Sequence, residues 1–209
     1  MKNTPRFFAI EGIRSAGKHI LAEGLELHFA GQGLDVVVTG EPSEGRLGGH
    51  LHKILDGKLP APKTIFEFQR FCAEDQFEHI RRVIRPYSQL GNLVFSIRYW
   101  IWALAYGMLD GSVEQYLKLY RDVVGSEMIR PDLTLLLDLE IEEALQRIIE
   151  KAERDFDRFA KFLELYLLRA NYLELAKRTD LGKIIVINAD QDKQKVLEDA
   201  IAAIEPFLV

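Results

Sequence analysis

Three residues near the amino terminus have the types and spacing needed to hold a phosphate group. Gly12, Gly17 and Lys18 match a phosphate-binding loop, in which backbone N–H groups and a lysine surround phosphate oxygens. The glycines allow close approach of the backbone, and the lysine adds a mobile positive charge. The next position normally carries a hydroxyl that binds Mg²⁺, but here it is His19, whose imidazole suits softer metals. The pattern therefore predicts phosphate binding more strongly than catalysis.

The segments on either side of this loop decide whether the match is meaningful, because a similar string also occurs in ordinary helix-capping turns. The apolar run Phe7–Ile10 predicts a strand, and spaced apolar residues from Ile20 to Phe29 predict a helix. A strand, a loop and a helix amino terminus form the setting that binds phosphate. We therefore predict a nucleotide-binding loop made by Gly12, Arg14, Ser15, Ala16, Gly17, Lys18 and His19.

The composition narrows the class of protein. The chain has 209 residues, of which 48% are hydrophobic and 28% charged, as expected for one globular domain. The net charge of −5 offers no basic surface for a nucleic-acid polymer. The single cysteine, Cys72, excludes an intrachain disulfide and a cysteine-based zinc cluster, and it favours a reducing, cytoplasmic setting. Since no signal-like or membrane-spanning apolar run is present, we expect a soluble protein with no membrane partner.

Apolar segments alternate with helical patterns along the chain. We predict one helix after the first and the last strand and two helices between the other strands. This order predicts an α/β fold, with a five-stranded parallel sheet flanked by helices on both faces in one domain over residues 1–209. The five predicted strands are Phe7–Ile10, Asp35–Thr39, Asn92–Ser96, Asp132–Leu139 and Lys183–Asn188.

Charged residues lie at or just after the ends of three predicted strands, at the edge where open α/β sheets bind ligands. Glu41 is expected near a substrate. Taken alone, this residue is explained equally well as a solvated acid in a turn. Arg98 is placed to contact phosphate oxygens with both arms of its guanidinium, and a structural ion pair is the alternative. Asp138 has the position of a metal-binding acid, but strand-end acids often cap the following helix, here Ile141–Ala152.

A densely charged segment at about residues 150–160 contains two arginines. Arg154 and Arg158 are predicted to lie on a lid that closes over a triphosphate and stabilises the transferring charge. Surface ion pairs, such as Arg154 with Asp157, explain the same residues without a lid.

Six strings carry a resemblance that covers essentially the whole chain. They are F-A-I-E-G-x-x-x-A-G-K at Phe8–Lys18, V-V-V-T-G-E-P at Val36–Pro42, E-H-I-x-x-V-I-R-P at Glu78–Pro86, V-F-S-I-R-Y with A-Y-G at Val94–Gly107, R-P-D-L-T-L-L-L-D at Arg130–Asp138 and Y-L-E-L-A-K at Tyr172–Lys177. Together these strings resemble the thymidylate kinase family, which transfers the γ-phosphoryl group of ATP to dTMP in dTTP biosynthesis. The resemblance implies a P-loop NTPase fold, ATP with Mg²⁺, a nucleoside monophosphate acceptor and a homodimer.

The resemblance also implies site residues. Lys18 and Arg98 would act on the donor and acceptor phosphates, and Arg154 or Arg158 on the lid. The predicted substrate-binding residues are Glu41, Phe71, Asp75, Gln76, Arg98 and Tyr106. We predict no metal ligand from the protein itself.

The chain departs from the family at positions that take part in the chemistry. In the loop, Arg14 stands where the family has an acid and His19 where it has the Mg²⁺-binding hydroxyl. Ile97 replaces the aspartate of D-R-Y, and Gly40 replaces the arginine of T-R-E-P. Gln76 replaces the arginine that grips the acceptor phosphate, Cys72 the aromatic residue that stacks on the base, and Gly107 the glutamine that reads the base. Because phosphoryl transfer depends on positioning and charge neutralisation, two hypotheses follow. One is an active kinase for dTMP or a related monophosphate. The other is a catalytically impaired nucleotide- or phosphate-binding homologue with a sensor or partner-binding role, and in either case the use of Mg²⁺ is open.

Four phenylalanines, Phe66, Phe68, Phe71 and Phe77, fall within one predicted helical segment, Thr64–Gln89. They add more apolar surface than one sheet face covers, and the resembling family dimerises through helices of this region. We therefore predict a homodimer, unless neighbouring loops fold over the aromatic rings.

Overall fold

A computed structural model describes residues 7–151 and 158–208 of the chain. Five strands in this part form one sheet in the order β2-β3-β1-β4-β5, and every neighbouring pair is parallel. This arrangement confirms the predicted five-stranded parallel sheet flanked by helices. The strands are β1 (Phe7–Gly12), β2 (Val36–Gly40), β3 (Leu93–Ile97), β4 (Leu133–Asp138) and β5 (Ile184–Asn188).

Nine α-helices occur in the described residues, one more than predicted, because the second helix predicted between β2 and β3 is divided into two. Capping side chains mark the starts of several of these helices. Ser112, for example, accepts a hydrogen bond from the amide of Gln115 at the start of a helix. The helices are α1 (Lys18–Gly31), α2 (Arg46–Leu55), α3 (Ile65–His79), α4 (Arg85–Gln89), α5 (Trp100–Gly107), α6 (Val113–Val123), α7 (Ile141–Lys151), α8 (Arg158–Ala176) and α9 (Lys193–Ile204).

The predicted helix over Thr64–Gln89 is interrupted. Its first part, α3, begins after Thr64, whose side chain accepts a hydrogen bond from the amide of Glu67. A π-helical turn, Ile80–Ile84, then joins α3 to α4. Pro86 in α4 has no N–H and its ring crowds the preceding turn, so a locally wider turn lets the chain continue in a helical path.

The three central strands are buried, whereas β2 and β5 at the edges are mostly half-exposed. Phe8 on β1 stacks on Phe95 of β3 with ring centroids 5.5 Å apart, and this contact stabilises the pairing of the two strands. In register, Ile10 lies opposite Ile97. The loop after β1 and the arginine after β3 therefore emerge side by side at the carboxyl edge, where ligands bind in this class of sheet.

The four phenylalanines of α3 do not share one face. Phe66 and Phe71 are each 37% exposed, whereas Phe68 packs edge-on against Trp102. Phe77 lies under the guanidinium of Arg81. Since residues advance by about 100° around a helix, this spacing spreads the rings around α3, and the homodimer stays a prediction.

None of the described helices is both long enough and apolar enough to cross a membrane.

Candidate active site

The loop between β1 and α1 adopts the backbone that its glycines predict. Gly12 has φ +136°, and a Cβ there would lie 2.5 Å from the carbonyl oxygen of Leu137 on β4. Ser15 and Gly17 also have positive φ, of 65° and 95°. Ser15 therefore occupies a left-handed conformation that is unfavourable for a residue with a side chain, as is common where a backbone is shaped around a ligand.

Lys18 lies beneath this loop and is only 4% exposed. Its Nζ donates hydrogen bonds to the carbonyl oxygens of Gly12, at 2.9 Å, and Ile13, at 2.7 Å. Burial, helped by the nearby charge of Arg98, lowers the pKa of Lys18 to about 7, and the charge of Glu11 opposes this change. An entering phosphate would supply the negative charge that keeps this ammonium protonated.

Glu11 is the last side chain before the loop and is completely buried. Its carboxyl accepts hydrogen bonds from the amides of Tyr99, at 2.9 Å, and Trp102, at 3.2 Å, and from the hydroxyl of Tyr172, at 3.4 Å. Burial raises the pKa of Glu11 to about 8, although the two amides oppose this change. The Glu11 carboxyl therefore caps the amino terminus of α5, although Glu11 itself belongs to β1. It thereby connects the start of the phosphate loop to the segment that carries Arg98.

Arg98 follows β3 with a left-handed backbone, φ 65°. Its amide donates to the carbonyl oxygen of Ile10 at 2.9 Å, and its carbonyl accepts from Ser96 Oγ at 2.6 Å. The guanidinium lies 6.0 Å from the ring centroid of Trp102. These contacts hold the side chain at the carboxyl edge, as predicted from its place after a buried strand.

Two cavities lie on opposite sides of the phosphate loop. The first, of about 380 Å³, is bounded by the first half of the loop and by α5 and α8. The second, of about 220 Å³, is bounded by the second half of the loop, α1 and the start of α9. The lining of the first cavity comprises Gly12, Ile13, Arg14, Pro42, His52, Leu55, Arg98, Trp102, Tyr106, Leu168 and Tyr172. Of the predicted substrate-binding residues, Arg98 and Tyr106 are thus on its wall.

Other predicted substrate-binding residues lie beneath the loop after β2 and not on the cavity wall. Glu41 is buried and hydrogen-bonds with His79 Nδ1 at 3.2 Å and Gln76 Nε2 at 3.4 Å. Asp75 accepts a hydrogen bond from the amide of Ser43 at 2.8 Å. Burial raises the pKa of Glu41 well above its usual range and lowers the pKa of His79 to about 4. The geometry of these residues is that of a network which positions the loop.

Phe71 lies away from both cavities beside the phosphate loop. It is 37% exposed, and its ring lies 6.0 Å from that of His50. It lines a separate open depression together with Pro60 and Pro62. The structure therefore does not bring Phe71 to the predicted substrate site, because the buried face of α3 carries Cys72 and Gln76 instead.

Comparisons with known proteins agree with this geometry. A family model described as thymidylate kinase matches residues 10–200. The chain is 34% identical to a probable thymidylate kinase of Thermococcus kodakarensis, over 97% of this chain and 98% of that protein. It is also 34% identical to a thymidylate kinase of Cereibacter sphaeroides, over 97% and 95%. The chain belongs to the thymidylate kinase family. The family resemblance of the six strings is thereby confirmed, and the catalytically impaired alternative gains no support.

The sequence did not indicate that Arg147 contacts the phosphate loop of this thymidylate kinase family member. Its Nη1 donates to the carbonyl oxygen of Ser15 at 3.2 Å, and its Nε donates to Glu143 at 2.7 Å. It also lines the second cavity, next to the phosphate loop. Only its four-residue spacing from Glu143 was visible in the sequence, and that spacing indicates a surface ion pair.

Within the described residues, no group of three or more His, Cys, Asp or Glu side chains that could hold a metal ion occurs. His19 lies exposed on the first turn of α1 in place of a hydroxyl. Asp138 does not cap the next helix; both of its oxygens accept hydrogen bonds from Arg169, at 2.6 and 3.0 Å. Asp138 therefore forms a charged pair with α8.

The middle of the predicted lid, residues 152–157, lies outside the described residues. Arg154 lies outside the described residues. Arg158 is the first residue of α8, but its side chain is not among those described. The lid and the roles of both arginines therefore stay predictions.

Proposed function

We propose that this chain transfers the γ-phosphoryl group of ATP to dTMP or a related nucleoside monophosphate. The observation that carries the proposal is the pair of cavities that share the phosphate loop, with Lys18 beneath the loop and Arg98 on the wall of the first cavity. A donor and an acceptor nucleotide placed in these cavities would meet at the loop. Membership of the thymidylate kinase family supports the same reaction.

The residues of the site suit a reaction that depends on positioning and charge. The loop amides and Lys18 would hold the ATP phosphates, and the Arg98 guanidinium would hold the acceptor phosphate for in-line attack. Glu11 keeps the two halves of the site in register because it bonds the segment after Arg98 from within β1. Little covalent chemistry is required of the protein, so a small number of rigidly held cations is sufficient.

The second cavity is the proposed site for the ATP base. Its wall combines Ile20 and Leu21 with the guanidinium of Arg147, which is suited to packing against an aromatic ring. Mg²⁺, which the family resemblance implies, would enter the site with ATP, because Mg²⁺ commonly binds nucleotide phosphates together with few protein ligands.

An assay of product formation tests the proposal. Purified protein is incubated with ATP, Mg²⁺ and each nucleoside monophosphate in turn, and diphosphates are separated by ion-exchange chromatography. We expect dTDP or a related diphosphate, and we expect Lys18→Ala to lower kcat by at least about 100-fold. Lys118→Ala, which removes a 71% exposed lysine on α6, is the matched control. Absence of diphosphate with every acceptor would eliminate the proposal and leave the binding-only alternative.

We also propose a homodimer, as the resembling family forms. The exposed parts of Phe66 and Phe71 support it, and the rest of both residues is covered within one chain. Light scattering at micromolar concentration tests it. A mass near the 24.0 kDa of one chain would refute the dimer.

A further inference from the structure

The Arg98 guanidinium lies against an aromatic ring. Its Cζ is 6.0 Å from the centroid of the Trp102 ring, which is within reach of a cation–π contact. Within the described residues, no carboxylate forms an ion pair with Arg98. The preceding residue, Ile97, is apolar and only 7% exposed, so the neighbouring position supplies no acid either. The Trp102 ring is therefore the contact that sets the direction of this side chain.

The charged groups around Arg98 do not fix its direction. The Glu11 carboxyl accepts hydrogen bonds from two backbone amides at the start of α5. The Glu164 carboxyl accepts a hydrogen bond from the Tyr106 hydroxyl at 3.5 Å. Lys18 carries a like charge, which repels the guanidinium. A long side chain in this setting needs another contact to hold it in one place.

The Trp102 ring is itself held from several directions. Phe68 on α3 packs edge-on against it with ring centroids 6.4 Å apart and an angle of 81°. The ring of Tyr106, one turn further along α5, lies 5.5 Å away. The amide of Trp102 donates to the Glu11 carboxyl at 3.2 Å. Because these contacts leave the residue only 6% exposed, its ring is a fixed surface and offers little area for a base to stack on.

We propose that Trp102 is a positioning residue, whose ring holds the Arg98 guanidinium in the direction that meets the acceptor phosphate. The inference rests on the proposed function for the place of the acceptor in the first cavity, which both residues line. An arginine side chain has several rotatable bonds, and holding it before the ligand enters reduces the conformational entropy that binding costs. Trp102 thus acts on the phosphate through Arg98 and not by contact with the base.

Calorimetric binding of dTMP and thymidine without ATP separates these two roles of the ring, because thymidine has the base and sugar of dTMP but no phosphate. Trp102→Leu should weaken dTMP binding about 5-fold, as expected for one cation–π contact, and leave thymidine affinity within about 2-fold. Trp102→Phe keeps a smaller ring and should lose less. An equal loss for both ligands would mean that the ring contacts the base, and an unchanged dTMP affinity would mean that it does not position Arg98. Either result would overturn the inference.

Trp100→Leu is the matched control. Trp100 is also a buried residue of α5 and lies beneath an arginine, Arg130, whose Cζ is 5.7 Å from its ring centroid. Neither residue is among those that line the first cavity. This variant should leave the affinities for dTMP and thymidine within about 2-fold. A loss for dTMP alone as large as that in Trp102→Leu would indicate a general effect of weakening α5 and would overturn the inference.

A double-mutant cycle in urea unfolding tests the contact without any ligand. It compares Trp102→Leu, Arg98→Met and the variant that carries both changes. The double variant should lose less stability than the sum of the two single losses, by about 5-fold in the unfolding equilibrium constant. Additive losses would overturn the inference whatever the activity of the protein. Coupling of the two residues in a protein that forms no diphosphate would refute the proposed function and leave the positioning of Arg98 standing.

Discussion

Replacing Glu11 with glutamine should remove a large pH dependence of stability. The carboxyl is fully buried, and its pKa is raised from 4.5 to about 8. Between pH 4.5 and about 8, the Glu11 carboxyl has lost its proton in the unfolded chain but keeps it in the folded chain. Stability from this group is therefore fully present below pH 4.5 and is lost as pH rises through 8. Glutamine resembles the protonated acid in shape and still accepts hydrogen bonds from the amides of Tyr99 and Trp102, so the variant should lack this decline.

The magnitude follows from the linkage of one proton. Each pH unit costs about 1.4 kcal/mol within the window, so the unaltered protein should lose about 3 kcal/mol between pH 5 and 7 through Glu11. This window avoids the opposite contribution of Lys18, whose pKa is lowered to about 7. Because that pKa is lowered, the folded state releases the proton first, and stability from Lys18 rises above pH 7. Other buried acids, such as Glu41, contribute equally to both proteins and cancel in the difference.

Urea unfolding at pH 5, 6 and 7 measures the effect. The free energy of unfolding of Glu11→Gln minus that of the unaltered protein should rise by about 3 kcal/mol from pH 5 to 7. Glu26→Gln, at an exposed position of α1, should show no such rise. A difference that stays constant across this range would mean that Glu11 is ionised in the folded protein, and the account of its burial would be wrong.

Three further predictions concern single contacts. Arg169→Ala should lower the free energy of unfolding by about 2 kcal/mol, because the half-buried carboxylate of Asp138 loses its charged partner; thermal unfolding measures this. Gly107→Ala should cost about 1–3 kcal/mol in urea unfolding, because its Cβ would lie 2.4 Å from the ring of Tyr116, and Tyr116→Leu in the same chain should recover part of the loss. Arg147→Ala should raise KM for ATP about 10-fold with KM for the acceptor unchanged, since Arg147 lines the second cavity and is not among the residues that line the first.

Each of these predictions has a contrary outcome. Unaltered stability of Arg169→Ala would mean that water replaces the pair at little cost. A neutral Gly107→Ala would show that the Tyr116 ring moves freely. An equal rise of both KM values in Arg147→Ala would mean that the arginine shapes the phosphate loop as a whole and does not bind the ATP base.

Local sequence patterns were sufficient to predict the fold, the loop between β1 and α1, and the position of Arg98. The five strands, the order of helices and the phosphate loop were readable because their signals lie within a few consecutive residues: apolar runs, capping residues such as Ser112, and the spacing of Gly12, Gly17 and Lys18. Arg98 was readable for the same reason, since it directly follows a buried strand.

Tertiary contact alone decided the remaining part of the site. Glu11 caps a helix that lies 88 residues away in the chain, and Arg147 bonds the loop carbonyl of Ser15 from 132 residues away. Phe71 turned outward because the rotation of α3 set by its packing, and not the apolar character of one residue, selects the buried face. The sequence determined which segments fold and where the glycine-framed loop with Lys18 lies. The packing of those segments decided which distant side chains share a cavity, because such contacts leave no periodic trace along the chain.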